Sequence, residues 1–513
     1  MEALAIVAAV VVLIATAAIF VRGGLMAGCL VVMVAGTCFS VPFYKTEGSL
    51  PLTADRVLIA LLVMQCLVWR RWGLAERKPW GKPEILLGVF LAMLTVSTFS
   101  HDWRALESQT PYQPVAWLVV FYFMPAAMYW VARQIRYSER TVLPLFGGLA
   151  VFGVYLAVTS LAEYCQAWWL VWPSYIATTA ADKLTEFVGR ARGPLLNPIA
   201  NGILLAACFA AALMWWPWLR GRPVFVARQV GDRARNAWWG SLRSTQPTPA
   251  ACGRKAWVDG DRPHPSPLPK GEGTVLSLRQ LVLAAVAALF LAAFCCTLTR
   301  SVWMGGVLVL ALCIGLALPW NWRLPLLGGG LAVAILLAAT HWDELVMFKR
   351  DEALGADKTA ESVELRPILA RIAWNMFLDR PLFGCGYYQY QKEHLDYLSD
   401  RSTGLALERA REFIQHNVAL SLLTETGLFG LSLFAAMLFL WARDAWRLWR
   451  DAALPLWARQ AGLVLLATMG AYVINGMFHD VSVMAMANMT LFFLAGVVAG
   501  LRGRDADVGY ASA

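Results

Sequence analysis

The stretch VLPLFGGLAVFGVYLAVTSL, Val142–Leu161, runs for twenty residues without a charged side chain. A bilayer core needs about 20 mainly apolar residues per helix. Backbone polar groups inside lipid must be satisfied within their own segment, so this run reads as a membrane-crossing helix. Working outward, similar runs lie near Leu4–Phe20, Leu25–Phe39, Ala54–Trp69, Ile85–Thr98, Val115–Val131, Ile199–Leu219, Leu281–Leu298, Val302–Leu318, Leu324–Ala339, Ala419–Trp441, Gly462–Ile474 and Val481–Leu501. None alternates as a barrel strand does. The expected fold is therefore an all-α polytopic membrane protein with about 12–13 transmembrane helices. Composition agrees: 59% of the 513 residues are hydrophobic and only 15% are charged, against roughly a quarter charged in soluble domains. Leu4–Phe20 lacks a basic region before it and a small-residue cleavage site after it, so no cleavable signal is expected.

Lys and Arg collect on the cytoplasmic side of membrane proteins. Arg70, Arg71, Arg77, Lys78 and Lys82 mark one turn as cytoplasmic, and the turns Arg133–Arg140 and Arg443–Arg459 fit the same side. The segment Arg220–Arg279 holds eleven Lys/Arg against four Asp/Glu, a net of +7 within a chain of +10. Its Pro/Gly-rich run from Pro263 to Gly273 has no apolar periodicity and is expected to be a disordered, dispensable insert. Alternation then places Glu163–Asn197, the short turn at Arg300 and the long segment Trp342–Gln415 outside. That last segment holds ten Lys/Arg and thirteen Asp/Glu, a net of −3. The basic balance follows from orientation, and no nucleic-acid partner is expected. The chain divides into helices over 1–341 with the insert at about 220–279, an outer helical loop domain over 342–416, and C-terminal helices over 417–513.

Within the outer segment, Leu365, Leu369, Ile372, Ala373, Met376 and Phe377 recur at helical spacing over Glu364–Leu378, and Pro381, Gly384 and Gly386 end that helix. A second helix is expected over Ala406–Gln415. Tyr387, Tyr388 and Tyr390 could stack on sugar rings or sit at the bilayer interface. The ten cysteines fall mostly in spans without metal or redox spacing and read as small buried side chains; Cys165 and Cys385 lie on the outer side and could pair.

Three outer features carry chemistry. Arg190 and Arg192 stand in a Gly/Pro-rich turn before a span, where arginine runs against the charge bias; an anion or lipid headgroups would hold them. Arg300, in Thr297-Leu298-Thr299-Arg300-Ser301, sits at a span boundary. A guanidinium binds phosphate oxygens bidentately and stays charged at any pH, so a pyrophosphate at the membrane surface matches. His416 precedes Asn417, and an imidazole can take a proton from a hydroxyl near neutral pH. Glu425 lies in a span and is expected to be structural, paired with an arginine. The Asp-x-Asp pairs Asp259/Asp261 and Asp505/Asp507 fall on the cytoplasmic side, so no metal is expected.

In order, Arg190-x-x-Gly193, Asn197-Pro198, Thr299-Arg300-Ser301, Arg371 to Trp374, Arg380-Pro381-Leu382-Phe383-Gly384-Cys385-Gly386, and His416-Asn417 followed after nine residues by Gly427-x-x-Gly430 resemble the O-antigen ligase and polymerase superfamily of bacterial inner membranes. The resemblance covers about 190–440. It implies a multi-pass inner-membrane enzyme that takes a glycan from undecaprenyl pyrophosphate and passes it to a lipid or glycan acceptor, without metal or other cofactor. It implies Arg190 and Arg300 as pyrophosphate ligands and His416 as base or acceptor-orienting group. Arg192 is a further candidate pyrophosphate-binding arginine whose role the family pattern does not fix, and Tyr387, Tyr388, Tyr390 and Asn417 are candidate glycan contacts by their own chemistry. Transfer to an acceptor of ligase type is preferred over repeat-unit polymerisation or protein glycosylation within the superfamily. A transporter of lipid-linked glycans or solutes is the rival of another class, disfavoured because no internal repeat is evident.

Overall fold

Helix follows helix along the described residues, with no strand among them. The computed structural model describes residues 23–39, 53–103, 114–180, 187, 189–318, less 220–277, and then 320–340, 356–400 and 404–502. The expected span Leu4–Phe20, the insert and its aspartates, and Asp505/Asp507 lie outside these. By contact the chain divides into a main unit, 1–215 with 288–513, and a second unit, 216–287. The second unit contributes to the description only the end of one helix and the start of another.

The helices are α1 Gly23–Cys38, α2 Ala54–Arg71, α3 Lys82–Phe99, α4 Pro114–Arg133, α5 Glu139–Tyr164, α6 Pro198–Leu219, α7 Leu278–Cys296, α8 Arg300–Ala317, α9 Trp320–Thr340 and α10 Ala356–Asp379. The last three are α11 Val418–Arg450, α12 Leu456–Gly476 and α13 Ala485–Arg502. Twelve of the thirteen apolar runs correspond to one of these helices. Eight (α3, α4, α5, α6, α8, α11, α12 and α13) are long and apolar enough to cross a membrane, and α1 and the Leu281–Cys296 part of α7 are shorter apolar helices. Large apolar side chains such as Leu61, Val96, Val151, Val307 and Phe439 are exposed on them, as a surface solvated by lipid tails requires.

The two ends of the bundle differ. At one, basic residues tie elements together: Arg133 pairs with Glu84 at 2.9 Å and donates to the Lys78 and Pro79 carbonyls, Lys78 donates to the Gly500 carbonyl, and Arg502 pairs with Asp444. These are the helix ends that the charge bias marks as cytoplasmic. The opposite end carries the last turns of α3, α5, α7 and α12 and the first turns of α6, α8, α11 and α13.

The core is filled by α13, where every residue from Met486 to Val498 is buried. Small residues let it approach α4: a Cβ on Gly496 would come within 2.5 Å of the Tyr129 carbonyl oxygen, the close backbone packing that glycine permits. A π-turn over Val119–Phe123 interrupts α4, and its Phe121 carbonyl accepts a bond from Asn488 Nδ2 at 2.9 Å.

α10 begins earlier than the sequence periodicity predicts and buries Leu365, Ile368, Leu369, Ile372 and Met376 against Cys385, Tyr390, Leu398, Leu407 and Ala410. The second helix expected over Ala406–Gln415 is instead a single 3-10 turn, Leu407–Ala410. After it the chain is irregular and becomes extended at Asn417 (φ −158°, ψ 126°), which caps α11.

α11 is broken at Gly427, whose φ of 65° and ψ of −169° are far from helical. The break is filled by the segment after α10. Cys385 N–H donates to the Thr424 carbonyl at 2.8 Å, Gly386 N–H to that of Glu425 at 3.0 Å, Leu428 N–H to that of Pro381 at 2.8 Å and Phe429 N–H to that of Leu382 at 3.2 Å. Backbone groups released by the kink are thus satisfied inside the protein, the condition for non-helical backbone at a membrane boundary. Glu425 strengthens the crossing by accepting from the Tyr388 N–H at 3.0 Å. It is structural as expected, but its partner is that backbone amide and no arginine among the described residues.

Candidate functional site

Two turns carry the expected arginines. In the first, Gly189 and Gly193 take φ of 74° and 58°, conformations open to glycine at little strain. Between them Arg190 is buried, its guanidinium 5.6 Å from the Phe187 ring centroid. Ala191 N–H donates to the Cys296 carbonyl at 3.0 Å, which fastens this turn to the second one. That turn, Thr297–Thr299, leads into α8 with Arg300 as its first residue. The N-terminal end of α8 adds the partial positive charge of its unpaired amides. Beside Arg300, the hydroxyl of Ser301 is buried without a hydrogen-bond partner among the described residues.

Arg192 has a different environment. Its Nε lies 3.1 Å from Glu163 Oε1, and both side chains are 4% exposed. The Nε edge of this buried guanidinium is thus committed to an internal ion pair.

The outer loop supplies a third guanidinium. Arg366 on α10 lies 5.8 Å from the ring centroid of Phe478. Partial burial and the neighbouring Arg300 guanidinium pull its pKa below the usual arginine value. The next residue, His479, places its ring 6.4 Å from that of His416 in an edge-to-face arrangement. Both amides of this Phe-His pair donate to the Asn475 carbonyl at the end of α12, at 3.1 and 2.9 Å. Arg366, Phe478, His479 and His416 are therefore neighbours, and Arg300 lies within electrostatic reach of Arg366. Two buried acceptor oxygens in the elements around them, Gln415 Oε1 and Asn475 Oδ1, have no partner among the described residues.

Asn417, expected to contact glycan, caps α11 instead. Its Oδ1 accepts from Ala419 N–H at 2.8 Å and Leu420 N–H at 3.1 Å, and its Nδ2 donates to the Met477 carbonyl at 2.9 Å. That bond ties the α11 start to the α12 end and holds the two histidines together. The tyrosine platform is also revised. Tyr387 and Tyr390 are each 2% exposed; Tyr387 packs edge-on against Tyr122, and Tyr390 stacks on His394 at 5.0 Å. Only Tyr388 is half-buried, and it faces Trp117. Cys385 is buried in the loop core while Cys165 is exposed, and both are free thiols. Among the described residues no group of three or more His, Cys, Asp or Glu is placed to hold a metal.

Arg366 and His479 were not singled out by the sequence. Arg366 is one of ten basic residues in a solvated segment. His479 could have been found by the argument used for Arg300, since it lies in a short turn between two spans on the same face.

Comparison with curated proteins finds no match to this chain. A family model described as O-antigen ligase matches residues 285–435, a stretch that contains Arg300, Arg366, His416 and both glycines at the α11 break but not Arg190 or His479. Over these residues the chain is similar to the O-antigen ligase family, and its eight helices long and apolar enough to cross a membrane agree with that likeness.

Proposed function

We propose that the protein transfers a glycan from undecaprenyl pyrophosphate to an acceptor hydroxyl on the periplasmic face of the inner membrane, as an O-antigen ligase does. The observation that carries this reading is the packing of Arg366 on Phe478 next to the His479–His416 ring pair, which brings a guanidinium of the outer loop to the two histidines, with Arg300 within electrostatic reach of Arg366. Like charges repel at short range, and a pyrophosphate between them would turn that repulsion into attraction. His416 would take the proton of the acceptor hydroxyl as that oxygen attacks the anomeric carbon. The bond to the pyrophosphate oxygen breaks as the new one forms, which inverts the anomeric centre. Arg300 and Arg366, with Arg190 at the adjoining turn, would stabilise the charge growing on the leaving pyrophosphate. No step calls for a metal.

The test supplies purified protein with a polyprenyl-pyrophosphate-linked glycan and, separately, a lipid A-core acceptor, a second donor molecule and a protein acceptor. Transfer to the lipid core, lost in His416→Ala with donor binding retained, is the expected result. Chain lengthening without a separate acceptor would make it a polymerase, and transfer to the protein a protein glycosylase. Full transfer by His416→Ala would remove the histidine from the mechanism.

A further inference from the structure

Glu163, in the last turn of α5, is 6% exposed, and the described partners of its carboxylate all belong to the loop that carries Arg190. Oε2 accepts from the backbone N–H groups of Arg192 and Gly193, both at 2.8 Å, while Oε1 accepts from Arg192 Nε at 3.1 Å. A buried carboxylate is costly unless its charge and lone pairs are met; here two successive amides and a guanidinium meet them. Gly193 presses so closely on α6 that a Cβ would lie 2.7 Å from Asn201 Oδ1. Asn201 Nδ2 in turn donates to Ser160 Oγ at 2.9 Å, one turn before Glu163. With Ala191 bonded to the Cys296 carbonyl, three consecutive residues, 191–193, are fastened to two helix ends, Ala191 to that of α7 and Arg192 and Gly193 to that of α5. Arg190 is the residue immediately before them, and Cys296 is four residues before Arg300.

We propose that Glu163 is a positioning residue: by locking Arg192 and Gly193 it sets the register of the Arg190 guanidinium against Arg300, so that both address one diphosphate. It acts through the loop and does not touch the donor. This inference rests on the assignment of Arg190 to the donor pyrophosphate. Arg192 serves the lock from within, and its pairing keeps a second loop guanidinium from competing for the anion.

The experiment compares wild type, Arg190→Ala, Glu163→Ala, Glu163→Gln and the double variant E163A/R190A in steady-state transfer with the lipid-linked donor varied. Hydrogen exchange is read at the Arg192 and Gly193 amides. Glu163→Ala is expected to raise the donor KM about tenfold or more with a smaller change in kcat. The double variant should be no worse than the worse single one. Glu163→Gln, whose amide oxygen still accepts the two backbone N–H groups, should recover most of the lost KM. Effects that multiply in the double variant, or a Glu163→Ala protein of lowered Tm but unchanged KM, would overturn the positioning role. Exchange needs no donor: slow in wild type and fast in Glu163→Ala is expected, and equal rates would refute the lock itself. If wild type neither binds nor transfers the donor while the exchange difference persists, the functional assignment fails and the positioning role falls with it, leaving a structural lock.

Discussion

Replacing Gly427 by alanine tests the crossing between α11 and the outer loop most directly. Gly427 holds φ 65° and ψ −169°, a region open essentially to glycine alone, and forcing another residue there costs about 1–3 kcal/mol. A Cβ would also overlap the Leu382 carbonyl and lie 2.5 Å from Phe383 N. These are backbone atoms already bonded into α11, so they cannot swing aside as a side-chain tip would, and overpacking adds about 1–3 kcal/mol. The total of about 2–6 kcal/mol is a large part of a typical folding free energy of about 5–15 kcal/mol. For a chain of 513 residues, thermal unfolding in detergent should show a fall of about 2–6 °C. Gly404→Ala separates the two contributions, since Gly404 has φ +66° but nothing within 4 Å of a Cβ; its Tm should fall only slightly. Equal melting of Gly427→Ala and wild type would refute the claim that the crossing depends on a missing Cβ.

Asn417→Ala removes an N-cap that accepts two amides and a bond to Met477. It should lower stability by about 1–2 kcal/mol, visible as an earlier melt. Tyr387→Phe deletes a buried hydroxyl that has no partner among the described residues; its Tm should hold or rise, and a clear fall would reveal a hidden partner. Asp480, buried in the turn between α12 and α13, has its carboxyl pushed above the usual range by that burial. A carboxyl with a raised folded pKa favours the fold at low pH and loses that contribution as pH rises through the folded value. Asp480→Asn should therefore raise Tm at pH 8 and change it little near pH 4; the same shift at both would show that ionisation is not involved.

The membrane helices are legible because lipid imposes a composition that survives any packing: Val142–Leu161 reads as a span whatever surrounds it, and it lies inside α5. Arg300 and His416 are legible because their positions at span boundaries are unusual for their chemistry. What escapes is what depends on meeting. Glu163 and Arg192 are 29 residues apart, and nothing local to either announces the other. Arg366 looks like any solvated helix arginine until Phe478 and Arg300 are beside it. Tyr387 and Tyr390 show the reverse error, since an aromatic run in an outer loop suggests a surface, but the loop is long enough to have a core of its own. Gly427 is visible as a motif glycine, yet its left-handed conformation follows only from the segment that crosses it.

The arrangement around α13 bears on how the protein is made. α13 is synthesised after the twelve helices described before it, and it lies against α4 at Tyr129, against the turn after α4 at Tyr137, against α11 through Trp441 and Phe492, and against α12 through the bond from Tyr472 to Asn488. The helices that precede it therefore lack this central packing until residues 485–502 have been made. A chain that stops before residue 485 would expose those facing surfaces, including the Tyr472 hydroxyl, and should be cleared by proteolysis.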